Sequence, residues 1–68
     1  MNAQRVVENA KAAAKKSGLT YRQIGLEMGY PEESARQSVY QFFTGGNPTV
    51  GLLIRFAKAV KVDAKELL

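Results

Sequence analysis

Arg36, Gln37, Tyr40 and Gln41 stand at spacings that turn them to one side of a helix, while Ala35, Val39, Phe42 and Phe43 turn to the other. Arginine, glutamine and tyrosine recognise a surface by hydrogen bonding, and nothing nearby equips them for catalysis. The chain contains no cysteine and no histidine, so disulfides, thiolate metal sites and the commonest general base are excluded. No nucleophile and base, metal-ligand cluster or phosphate-cradling loop stands out. The reading is a binding protein rather than an enzyme, needing no cofactor and no metal.

Charge says what such a face would meet. Ten lysines and arginines against six acidic residues give a net charge of +4, which suits a polyanion, with DNA phosphates the obvious choice. Lys11, Lys15 and Lys16 read as a solvated face of the first helix rather than as part of a site. The 68 residues allow one domain, 1–68. A chain this short buries only about 60% of its unfolded surface, so pairing with a second copy would help it. Apolar runs fall far short of the ~20 residues a membrane span needs. Residues 1–18 lack the apolar stretch of a secretory signal, and the expected location is cytoplasmic.

Five helices must position the polar face, and the expected fold class is all-α. The first runs from about Ala3 to Ser17, with Val6, Val7, Ala10, Ala13 and Ala14 inward and Gly18 as its stop. The second opens on a capping box, Thr20 with Gln23, with Leu19 placed to staple onto Ile24, and it ends at Gly29. The third lies between Pro31 and Thr44, and its start has two solutions. Pro31 suits a first helical position, with Glu32 and Glu33 in the favourable first turn. Ser34 with Gln37 makes a second capping box that would leave 30–33 as loop. The fourth runs from about Thr49 to Val60, burying Leu52, Leu53, Phe56, Ala57 and Val60. A final short helix opens on Asp63, boxed with Glu66, and Val62 can staple onto Leu67.

A short capped helix, a glycine-centred turn and a second helix with a polar outer face fit the helix-turn-helix plan over about 20–44. Gly25, mid-helix, lets the two helices cross closely, and Gly29 makes the sharp turn. Ile24, Met28 and Val39 lock the crossing, so the outer face protrudes and can enter a major groove.

From Gly18 onward the chain resembles the phage Cro and lambda-repressor-like, or XRE-like, helix-turn-helix family. The resemblance rests on Gly18-Leu-Thr-Tyr-Arg-Gln-Ile-Gly25, on Met28-Gly29-Tyr30, on Gly45, and above all on the stretch from Pro48 to the closing Glu-Leu-Leu68. It implies a compact five-helix domain, dimeric on pseudo-palindromic operators. Three departures stand out. The family usually has alanine where Gly25 stands. Ala14 replaces a frequent arginine, so an internal polar tie is missing. The interval from Gly29 to Gly45 is about four residues longer than usual, close to one helical turn.

That extra turn leaves two ways to place the family's base-reading positions. Anchored at Gly29, they fall on Glu32, Glu33, Arg36 and Gln37. Anchored at Gly45, they fall on Arg36, Gln37, Tyr40 and Gln41. The second set is preferred because it keeps two carboxylates away from phosphates. Arginine can pair with both guanine acceptors and glutamine with adenine. The resemblance further implies phosphate contacts from Thr20, Tyr21 and Arg22 at the start of the second helix, and from Thr44, Gly46 and Asn47 after the third. Thr20 serves equally as a cap alone, and Tyr40 equally suits a neighbouring helix or a dimer partner. Phe42, Phe43 and Phe56 read as core. Leu67 and Leu68 fit either a dimer seam or the closure of the monomer core.

The expected function is a stand-alone Cro-like repressor, binding double-stranded DNA as a homodimer and blocking polymerase without chemistry. With no second domain to sense a ligand, its control would come from protein level or a partner. Two rivals are an antitoxin or accessory subunit with a protein partner, and a helical interaction adaptor without DNA binding.

Overall fold

Gly18 and Gly29 punctuate the first half of the chain because both take a left-handed backbone, φ 75° and 97°, which residues with a Cβ avoid. The computed structural model describes residues 3–45 and 48–68. Four α-helices follow in order, α1 Ala3–Ser17, α2 Tyr21–Glu27, α3 Glu32–Thr44 and α4 Val50–Ala59, and a 3-10 turn, Ala64–Leu67, closes the chain. No strand occurs among the described residues, in keeping with the all-α expectation. The fifth expected helix is that single 3-10 turn. The radius of gyration is 10.5 Å, close to the roughly 11 Å expected of a compact chain this long. Among the described residues no helix is long and apolar enough to cross a membrane.

Local chemistry sets most helix starts. Thr20 Oγ1 accepts from the Gln23 amide at 3.1 Å and Gln23 Oε1 from the Thr20 amide at 2.8 Å, the full reciprocal box. Thr49 caps α4 by accepting from the Leu52 amide at 3.2 Å. The box expected at Asp63 is corrected: its carboxylate accepts from the Lys65 amide at 3.1 Å, while the Glu66 amide turns to the Asp63 carbonyl at 2.9 Å. A 3-10 turn bonds i to i+3, which takes the Glu66 amide away from the side chain.

Glycine is not the device everywhere. Lys61 adopts φ 61° after α4, where the Val62 amide reaches the Ala57 carbonyl at 2.9 Å and the Lys61 amide the Lys58 carbonyl at 3.3 Å. This closes the helix end as a left-handed glycine would, at a conformational cost on the order of 1 kcal/mol.

The core is apolar throughout: no polar or charged side chain is buried among the described residues. Phe56, Ile24, Leu67, Val6 and Val39 are the largest side chains wholly withdrawn from water. Leu67 therefore closes the monomer core, whereas Leu68 is exposed. Ala13 and Leu52, expected inside, are only half-buried, and Ala59, which the periodicity did not single out, is buried. Ala14 is buried, and a polar tie of the first helix comes instead from Asn9, whose Nδ2 donates to the Leu67 carbonyl at 3.1 Å.

The elements that set the polar face are α2, the turn after it, and α3. The Tyr30 amide bonds the Gly25 carbonyl and the Gly29 amide the Leu26 carbonyl, both at 3.0 Å, a closure built around the left-handed Gly29. α3 then starts at Glu32, with Pro31 extended before it and the Ser34 amide bonding the Pro31 carbonyl at 3.1 Å. Of the two expected starts the first is right, with Pro31 one position earlier than expected. Ser34 lies inside the first turn and caps nothing. α3 therefore runs for 13 residues, and the turn before it is short.

Candidate nucleic-acid interface

α3 is held against α2 by backbone contact as well as by side chains. A Cβ built on Gly25 would stand 2.4 Å from the Ala35 carbonyl oxygen and 2.7 Å from the Ala35 Cβ. Real Cβ atoms do not come so near, so only glycine permits this separation. Behind the crossing, Ile24, Ala35, Val39, Phe42 and Phe43 are buried, which fixes the rotation of α3 about its axis.

That rotation leaves Arg36, Gln37, Tyr40, Gln41 and Thr44 exposed. Tyr21, Glu33, Arg36, Gln37 and Tyr40 line one open concavity, so three of the four expected base-reading residues share a surface. Gln41 lies outside it. At about 100° per residue Gln41 sits roughly 140° around the helix from Arg36, too far to address the same base step. The side chains of Arg36, Gln37, Tyr40 and Gln41 make no hydrogen bond or ion pair among the described residues.

The expected phosphate contacts are disposed unequally. Thr20 is exposed, and its hydroxyl oxygen serves as the cap of α2. Tyr21 is half-committed to the core: its ring centroid stands 5.1 Å from that of Phe43, yet the residue keeps 37% exposure beside the concavity. Arg22 pairs with Glu32 at the start of α3. Both side chains are largely solvated, so the pair adds little stability, but it gives the Glu32 carboxylate a partner at the edge of the face. Thr44 is exposed with its hydroxyl donating to the Tyr40 carbonyl at 3.0 Å. Gly46 and Asn47 lie outside the described residues.

Glu33 is the residue that the preferred sequence alignment passed over. It falls four residues before Gln37 and seven before Tyr40, the spacing of one helical face, but that spacing counts only if the helix has begun by Glu32. Around the concavity the formal charges balance, with Arg22 and Arg36 against Glu32 and Glu33.

Comparison with protein families, with curated proteins and with solved structures finds no match to this chain.

Proposed function

We propose that the protein is a sequence-specific, double-stranded-DNA-binding transcriptional regulator. In this reading it is a Cro-like repressor that acts as a homodimer on a pseudo-palindromic operator. α2 and α3 serve as a helix-turn-helix pair. The outer face of α3 reads base edges in the major groove, with Arg36 directed at guanine and Gln37 at adenine. Tyr40 and, from the flank, Gln41 extend the contact. Thr20, Tyr21, Arg22 and Thr44 meet the phosphates on either side and set the register.

One observation carries this reading. A polar ridge whose side-chain donors and acceptors are unused among the described residues is mounted on a helix that the Gly25–Ala35 contact keeps from rolling. Hydrogen-bonding groups held rigidly and left open are what direct base readout needs. Because the ridge is close to neutral, discrimination would rest on hydrogen bonds. The net charge of +4 would supply the attraction that brings a duplex in.

The test is a pair of affinities. Arg36→Ala should weaken a duplex site selected by the wild-type protein by about tenfold or more, and random duplex far less. Equal losses on both would remove Arg36 from base reading. A protein-binding adaptor is the second reading, favoured by the exposure of Tyr40 and by the carboxylates beside Arg36. Counterion release separates the two, since duplex affinity must fall steeply as salt rises if phosphates are neutralised.

A further inference from the structure

We infer that Glu33 is a further specificity-determining residue, whose carboxylate accepts a hydrogen bond from the exocyclic amino group of a cytosine and so makes one position of the bound site require a G·C pair. The inference rests on the duplex-binding reading above and extends it to a residue outside the preferred reading set.

Two neighbouring carboxylates open α3, and the structure treats them differently. Glu32 turns toward α2 and is held by Arg22. Glu33 lines the concavity with Arg36, Gln37 and Tyr40 and has no ion pair or hydrogen bond among the described residues. An ionised carboxylate only accepts hydrogen bonds. Facing a phosphate it would repel, and facing guanine N7 and O6 or thymine O4 it would meet acceptors. The major groove offers it two donors, the amino groups of adenine and cytosine. Adenine N7, an acceptor, lies beside the first. Cytosine carries no acceptor on its own groove edge, so the unpaired carboxylate fits there best. The guanine of such a pair turns N7 and O6 to the groove, and Arg36, three residues along the same face, carries the donors for them.

Selection from a pool of random duplexes tests this, run in parallel with the wild-type chain, Glu33→Ala and Glu33→Gln. Glu33 is exposed, so both variants should keep the wild-type helical circular dichroism. The wild type should recover a site with one position fixed as cytosine, binding it about tenfold better than the other bases there. E33A should recover the same site with that position degenerate. E33Q should shift it toward adenine, which glutamine can pair with through two bonds. If E33A and E33Q both keep the cytosine, the assignment of Glu33 is overturned while the wild-type site leaves duplex recognition standing. If the wild type recovers no sequence, duplex reading itself fails and the role of Glu33 with it.

Discussion

Phe56→Ala should strip the protein of much of its stability, with the helical circular dichroism lost at about 25 °C or melting far below the wild-type transition. Phe56 is fully buried, stacked on Phe42 at 5.0 Å and edge-on to Phe43 at 5.6 Å. Removing such a ring costs about 3–5 kcal/mol, through lost transfer energy and the cavity left behind. At 68 residues the whole folding free energy is roughly 3–10 kcal/mol, so one substitution removes between about a third and all of it. The consequence reaches the binding face. Phe43 also packs on Tyr21, so this aromatic cluster joins α4 to the C-terminal half of α3 and to the start of α2. Phe56→Leu, which refills most of the space, should melt much closer to wild type. A Phe56→Ala protein melting within a few degrees of wild type would mean that the core is not where it has been placed.

Gly25→Ala gives the second large effect, and its sign is the informative part. By helix propensity alone the change should stabilise α2 by up to about 1 kcal/mol. The added methyl, however, meets backbone at 2.4 and 2.6 Å, and a backbone cannot step aside as a side-chain tip does. Overpacking typically costs about 1–3 kcal/mol, and a clash with main chain belongs at or beyond the upper end. A net loss on the order of 2 kcal/mol follows, which lowers the melting temperature by roughly 8–16 °C in a domain of this size. Since α2 and α3 must part to admit the methyl, duplex affinity should fall as well, even at temperatures where the variant is folded. Thermal denaturation decides the matter, and a Gly25→Ala protein that melts higher than wild type would refute the close crossing.

What was legible in the sequence is what short-range chemistry determines. The box of Thr20 and Gln23 and the left-handed stops at Gly18 and Gly29 depend on neighbours within a few residues, and they appear as expected. The start of α3 was ambiguous for a physical reason: Pro31 with two glutamates and Ser34 with Gln37 both satisfy the local rules for a helix start. Contacts beyond the helix accompany the first solution, Glu32 with Arg22 and Ala35 against Gly25. The same distinction explains the uneven reading of the site. Arg36 and Gln37 belong to the face under either alignment. Gln41 belongs to it only when the alignment is anchored at Gly45, and Glu33 only when it is anchored at Gly29. The Asn9 tie was out of reach because its partner lies 58 residues away and is a main-chain carbonyl, which carries no side-chain signature.

Chemical-shift mapping of the nitrogen-labelled protein, titrated with the duplex recovered by its own selection, tests the account most directly. The largest perturbations should fall on the start of α2 at 20–22 and along α3 from 33 to 41, and should shrink as salt is raised. Perturbations centred instead on the lysine face of α1 at Lys11, Lys15 and Lys16, with the α3 amides unmoved at saturation, would contradict it.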